Sequence, residues 1–208
     1  MSDVEAQTKV PFISLGMMIG DIHVVSFVKT LQSVLLRASG PMVDEIVLGW
    51  NGTKDAELAK SLELLGYTNG SVGLLTTALG ANKADTMSQR QCINVGTEPL
   101  REFTSPMPRL RIVPFVWPGR FDAARNYYWQ FMRGEWLLWL DGDDIVADAS
   151  ASEGLEAIKA CERDYGMVVK EDAVAPPGTV GAGTSSTLTT MLRRLPRNIN
   201  TLLCPYDY

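Results

Sequence analysis

From Glu135 to Asp144 the chain reads Glu-Trp-Leu-Leu-Trp-Leu-Asp-Gly-Asp-Asp, an almost unbroken apolar run that stops at three carboxylates around one glycine. The run is too short to span a membrane and too continuous to alternate between a wet and a dry face. It therefore reads as a strand buried on both sides, as strands are in parallel sheets covered by helices. Ligands of open α/β sheets sit in the crevice beyond the carboxyl ends of such strands. Asp141, Asp143 and Asp144 placed there would each resist ionising beside the others unless a cation came between them. A hard divalent ion with oxygen ligands, magnesium or manganese, meets that need. Asp-Gly is also the strongest short-range signal for a tight hairpin, with Ile145-Val146 opening a return strand, so the motif alone leaves both readings open.

The rest of the chain narrows the class. Its 208 residues are 46% hydrophobic and 21% charged, which suits one globular domain with a substantial core. A net charge of −5 leaves no electrostatic footprint for nucleic acid. It does not exclude a phosphate-bearing small molecule, which needs only one local positive spot and a metal. Cys92, Cys161 and Cys204 are odd in number and lack metal-type spacing, which points to a reducing compartment and to cysteines acting as small hydrophobes. No segment reaches the roughly 18 apolar residues of a transmembrane span. The N-terminus lacks the basic-then-apolar order of a secretory signal, so a cytoplasmic location is expected. His23 is the single histidine, which argues against a multi-histidine metal site or a histidine-based triad; it reads as a first-turn helix residue.

Residues 1–10 are polar and are read as a flexible N-terminus, with a single domain over 11–208. Pro11 to Ile19 reads as a strand, and Asp21 as the N-cap of a helix from Ile22 to about Ala38 whose buried face carries Ile22, Val25, Val28, Leu31, Val34 and Leu35. Val43 to Trp50 forms a second strand, Asn51-Gly52-Thr53 a turn, and Asp55 to Leu65 a second helix. Continuous apolar strands alternating with helices are the grammar of a parallel sheet. Residues 66–108, punctuated by glycines and prolines, form an irregular insertion with short elements at Leu74 to Leu79 and Gln89 to Val95. Leu110 to Val116 is a third strand. Trp117-Pro118-Gly119 then turns the chain into a helix from Phe121 to Met132 with Phe121, Ala124, Tyr128, Phe131 and Met132 as its buried stripe. After the acidic strand end come a helix over 151–163, a strand near Gly166 to Lys170, a Pro/Gly/Ser-rich loop over 176–186, and a final segment from Leu188.

Three blocks, in order, resemble a known family: Ile13-Ser14-Leu15 leading to Val43-Asp44-Glu45-Ile46-Val47; Phe121-Asp122-Ala123-Ala124-Arg125-Asn126; and Gly134 to Asp144. They are similar to the nucleotide-sugar-binding half of family 2 glycosyltransferases, the inverting GT-A enzymes, over roughly residues 11–150. The second and third blocks, closely spaced and in the right order, are the specific part. The resemblance implies an α/β fold of GT-A type: a Rossmann-like, doubly wound, mostly parallel sheet with helices on both faces. It implies a divalent-metal-dependent, inverting transfer of a sugar from a nucleoside-diphosphate sugar to an acceptor (a glycan, lipid or protein). By the same resemblance Asp143 would meet the metal, Mn2+ or Mg2+. Asp141 would face the ribose or share the metal, and Asp144 would be the nearest spare ligand. Arg125 would reach the nucleotide, Asn126 would fix backbone near it, Gly142 would belong to the same donor turn, and Asn51, Gly52 and Asp55 would fall in the loop that holds the base.

The chain also departs from that family. Trp50 stands where relatives place a base-recognising aspartate; it either stacks on a base or fills the core. Gly20-Asp21 stands where relatives often carry an Asn-Glu pair, and by the resemblance Asp21 would be the corresponding base contact. Inverting transfer needs a general base, and Glu171 and Asp172 are the candidates ahead of Asp207. The short part over 151–208 raises the alternative of a catalytically incomplete nucleotide-sugar-binding module, or a truncated fragment of a longer transferase. A nucleotidyltransferase of similar fold ranks last, because Gly16 to Asp21 contains no lysine or arginine.

Overall fold

A computed structural model of the chain describes residues 13–36, 41–67, 92–96, 107–146, 165–171 and 187–194, the last two as backbone only. Seven strands form one sheet in the order β3-β4-β2-β1-β5-β7-β6. They are β1 (Ile13–Ile19), β2 (Glu45–Trp50), β3 (Ile93–Val95), β4 (Arg109–Pro114), β5 (Trp136–Trp139), β6 (Tyr165–Glu171) and β7 (Thr187–Arg194). The four central strands, β4, β2, β1 and β5, run parallel. The outer strands β3, β7 and β6 pair antiparallel. Strand order steps outward from β1 to β2 and β4, then jumps back across β1 to β5. That reversal places a topological switch point between β1 and β5.

The helices cover both faces, as doubly winding requires. Helix α1 (Ser26–Leu35) buries Phe27, Leu31, Val34 and Leu35, and α2 (Asp55–Leu64) buries Leu58, Ala59 and Leu62. Both pack with Ile13, Leu15, Met17 and Ile19, the alternate residues of β1. Each such fully buried aliphatic side chain contributes about 1.5–3 kcal/mol from area removed from water. Helix α3 (Phe121–Trp129) packs Ala124, Tyr127, Tyr128 and Trp129 on the other face, against Val47, Val113 and Leu137. Two glycines make room for it: a Cβ on Gly49 would lie 2.6 Å from the Tyr128 ring, and one on Gly16 would lie 3.0 Å from both Tyr128 and Met132.

A polar cluster is buried at the amino ends of these strands, away from the ligand end. Glu45, 1% exposed, accepts from the Arg111 guanidinium, from Ser14 Oγ at 2.5 Å and from the Arg133 amide at 2.8 Å. Ser14 Oγ in turn accepts the Gly134 amide at 2.7 Å. The knot ties β1, β2, β4 and the end of the α3 segment together, with both Glu45 oxygens and Ser14 Oγ partnered, as burial demands.

Several boundaries differ from the sequence-based expectation. Helix α1 begins at Ser26, not Ile22: residues 21–25 are turn, Val25 rather than Asp21 occupies the N-cap position, and Ile22 and Val25 are 86% and 78% exposed. Phe121, expected in a buried stripe, is 59% exposed, while Tyr127 takes the buried position. The chain after Asp144 does not turn back as a hairpin with β5, which pairs instead with β1 and β7. Val146 donates its amide to Ser33 Oγ at 3.0 Å, leading the chain onto α1. Of the 66–108 excursion, β3 and its ends are described, and the ends are tied by the buried Tyr67 hydroxyl donating to the Pro108 carbonyl at 3.1 Å. The expected flexible N-terminus, the helix over 151–163, the loop over 176–186, Cys161, Cys204, Asp172 and Asp207 lie outside the described residues. Among the described residues no helix is long and apolar enough to cross a membrane.

Candidate functional site

Strands β1, β2 and β4 end level with one another. Ile19, Trp50 and Pro114 share a register, extended by the Asn51 amide donating to Ile19 O at 3.1 Å and the Phe115 amide to Trp50 O at 2.9 Å. β5 ends beside them, with Gly16 opposite Trp139 and the Leu140 amide reaching Gly16 O. The connections leaving these ends enclose a cleft of about 350 Å3. Its walls come from Gly20, Asp21 and His23 after β1, Asn51 and Gly52 after β2, and Trp117 and Phe121 after β4.

The acidic motif forms a braced turn at the rim. The Asp144 amide donates to Asp141 O at 3.2 Å, and the Asp141 amide donates to Asp144 Oδ2 at 2.9 Å. Asp144 is 5% exposed, so its carboxylate faces the turn it holds. Asp141 and Asp143 are exposed on either side of the buried Gly142. A Cβ on Gly142 would stand 3.0 Å from His23 Cβ and 3.2 Å from Ile19 Cγ2, so the turn rests directly on the end of β1. Among the described residues no three His, Cys, Asp or Glu side chains gather closely enough to hold a metal ion by themselves. Two exposed carboxylates on a fixed turn are hard oxygen donors, and an ion held there would complete its coordination with ligand or water oxygens.

The other residues singled out from sequence divide between the cleft and internal bonds. Asn51 and Gly52 line the cleft. Asp21 lines it too, but its carboxylate binds the β2–α2 turn: Oδ1 accepts the Thr53 and Lys54 amides at 2.6 and 2.9 Å, and Oδ2 accepts the Thr53 hydroxyl at 2.7 Å. The Thr53 hydroxyl bond, helped by the two amides and the Lys54 charge and opposed by partial burial, holds Asp21 below the usual carboxylate range. Trp50 is fully buried, and its indole N–H donates to Asp55 Oδ1 at 2.6 Å, so these two residues serve each other and the core. Gly52 provides clearance for protein atoms: a Cβ there would stand 2.2 Å from Trp50 Cη2 and 2.4 Å from Asp21 Oδ1.

Arg125 lies between aromatic rings, its guanidinium 3.2 Å from the Trp139 ring centroid and 5.7 Å from that of Phe121. It links α3 to the strand that ends in the acidic turn. Asn126 accepts from Gln130 through its backbone carbonyl at 3.2 Å, and its side-chain oxygen is buried without a hydrogen bond among the described residues. Glu171 ends β6, where only backbone is described.

Among the cleft residues that sequence reasoning missed, His23, Trp117 and Phe121 bring polar and aromatic groups. His23 sits in the turn after β1, its Nδ1 buried without a hydrogen bond among the described residues. Trp117 and Phe121 pack edge to face, centroids 4.9 Å apart at 74°. The signal was present: Trp117-Pro118-Gly119 follows a parallel strand at its carboxyl end, where ligand loops sit, and Gly119 takes the left-handed turn conformation at φ 81°.

No protein-family profile matches the chain, and no curated protein does. Among solved structures, the crystal structure of S. aureus TarS 1–349 is similar, with a TM-score of 0.45 and 13% identity over 74% of this chain. The chain covers 34% of that structure's length.

Proposed function

We propose that the chain binds a nucleoside-diphosphate sugar and transfers its sugar to an acceptor with inversion, with Mn2+ or Mg2+ as cofactor. The observation that carries this reading is the exposed pair Asp141 and Asp143, displayed by the Asp144-braced turn that rests on Ile19 and His23, two residues of the cleft lining. Asp143 and Asp141 would hold the ion, and the ion would supply charge neutralisation to the departing diphosphate. Arg125, stacked on the Trp139 ring, would add positive charge from the α3 side. Glu171 and Asp172 are the proposed source of the general base.

Titration calorimetry with UDP-, GDP- and dTDP-sugars, with and without manganese, tests the proposal on the folded chain. Binding of one donor that requires the metal, lost in Asp143→Asn, is the expected result. Failure of every donor to bind would refute it. A donor-binding module without transfer is the second reading. It is favoured by the cleft itself, where Asp21 is the one carboxylate in the lining among the described residues and its oxygens are already engaged. That reading expects donor binding with no glycosylated product from any acceptor offered.

A further inference from the structure

The acidic turn is held before, after and beneath. The Leu140 amide donates to Gly16 O ahead of it, and the Val146 amide donates to Ser33 Oγ at 3.0 Å behind it. Beneath it lies His23: a Cβ on Gly142 would stand 3.0 Å from His23 Cβ and 3.2 Å from both His23 Cγ and Ile19 Cγ2. The exposed carboxylates Asp141 and Asp143 flank that glycine. Their height over the end of β1 is therefore set by Ile19 and His23.

His23 is itself pinned. Its amide donates to Gly20 O at 2.9 Å, and its carbonyl accepts the Phe27 amide at 3.0 Å and the Ser26 hydroxyl at 3.3 Å. On one side of it Asp21 binds Thr53 and Lys54, and on the other the Val24 carbonyl accepts the Ser61 hydroxyl of α2 at 3.2 Å. A segment tied to both α1 and α2 keeps its side chain in one place.

Carbon at that place could come from many residues. Histidine adds Nδ1, bonded to the Cγ that lies against the turn, and this atom is buried with no hydrogen bond among the described residues. A buried polar atom left unpaired is costly, so it calls for a partner that a ligand or solvent brings. His23 is not a direct metal ligand beside Asp141 and Asp143, since no three such side chains gather closely enough among the described residues. A hard cation held by two protein carboxylates keeps several waters, and an imidazole nitrogen accepts their hydrogens.

We infer that His23 is the positioning residue of the ion site: its Cβ and Cγ carry Gly142, and its Nδ1 holds a water of the ion that Asp141 and Asp143 bind. This rests on the metal-dependent reading above and adds to it a residue outside the acidic turn.

Manganese alone, without donor or acceptor, tests the assignment. Affinity is read from water-proton relaxation, and the imidazole is read by NMR, where the single histidine gives unambiguous ring signals. Manganese should broaden those signals in the unaltered chain and leave them sharp in the double variant Asp141→Asn, Asp143→Asn. His23→Asn keeps a polar atom at the δ position and should bind manganese within about 3-fold of the unaltered chain. His23→Leu keeps the carbon support without the polar atom and should bind roughly 10-fold more weakly. Its unfolding midpoint should not fall, because an unpaired buried polar atom is removed. If His23→Leu binds manganese as the unaltered chain does, or His23→Asn binds as weakly as His23→Leu, the assignment is wrong and metal-dependent binding still stands. A loss of affinity that tracks a fall in the midpoint makes His23 a packing residue and overturns it too. If the unaltered chain binds no manganese, the metal-dependent reading fails and takes the assignment with it.

Discussion

Replacing Asp144 separates a brace from a ligand. Its carboxylate accepts the Asp141 amide at 2.9 Å while its own amide closes the turn onto Asp141 O at 3.2 Å. A hydrogen bond to a charged acceptor is worth about 1.5–3 kcal/mol net, whereas one to a neutral acceptor is worth about 0.5–1.5. Asp144→Ala removes the acceptor altogether. Because the freed Asp141 amide is near the surface and can be rehydrated, the lower part of that range applies, about 1.5–2 kcal/mol. In a domain of this size each kcal/mol moves the melting temperature by about 2–4 °C, so a fall of roughly 3–8 °C is expected. Asp144→Asn keeps an oxygen on the same atom path and should cost about 1 kcal/mol.

Metal-dependent binding should follow the same order. A residue that orients a ligand typically costs 10- to 100-fold in metal affinity when lost. Asp144→Ala should therefore weaken manganese-dependent donor binding by about 10-fold and Asp144→Asn by a few-fold. Asp143→Asn should abolish it with no change in melting temperature, since Asp143 is exposed. Calorimetry and thermal unfolding on the same preparations give both axes. If Asp144→Asn removes metal-dependent binding as completely as Asp143→Asn and leaves stability untouched, Asp144 is a ligand and the turn-brace argument is wrong.

Other perturbations test the supports around the site. Arg111→Met leaves the Glu45 charge buried and should cost about 3–5 kcal/mol in urea unfolding. The double variant with Glu45→Gln should recover much of that cost, and additivity of the two losses would show that the pair does not interact. Gly52→Ala places a methyl 2.2 Å from Trp50 Cη2, so a loss of about 1–3 kcal/mol and a changed near-ultraviolet tryptophan signal are expected; an unchanged spectrum would mean the ring has other room. Asp21 is depressed by its Thr53 bond, so its contribution is present above the ordinary value of 3.8 and is lost as pH falls through the folded value. The urea midpoint of the unaltered chain should thus fall more steeply below pH 3.8 than that of Asp21→Asn, and parallel acid limbs would contradict the bond.

What could be read from sequence was what burial writes locally. β1, β2, β4 and β5 are covered on both faces, so they had to be continuous apolar runs, and they were found close to their true ends. Their parallel order followed from the helices between them. The polar supports were not legible, because each joins residues far apart in the chain: Glu45 with Arg111, Asp21 with Thr53, Ser14 with Gly134. No local period encodes such a pair. Asp55, placed by resemblance in the loop that holds the base, is bonded to Trp50, for which stacking on a base and filling the core were both open. That exchange depends on Gly52 being bare, a property visible only once the ring and the turn are placed together.

Apolar residues depart from the helical burial pattern, Ile22 and Phe121 among them. Ile22 and Phe121 were assigned to buried helical faces because apolar residues at that spacing are usually buried. Both are exposed, and both line the same cleft. An apolar residue that breaks the burial rule at one isolated position needs no explanation. Two that break it in the lining of one cleft, with Trp117 packed on one of them, mark a surface kept apolar for something other than the core. His23 completes the pattern with a polar atom buried at that surface and left without a hydrogen bond. The acidic turn says where charge is handled, and these misread residues say where it is not. The apolar lining beside the carboxylate turn is therefore marked as much by the residues that break the periodicity as by those that follow it.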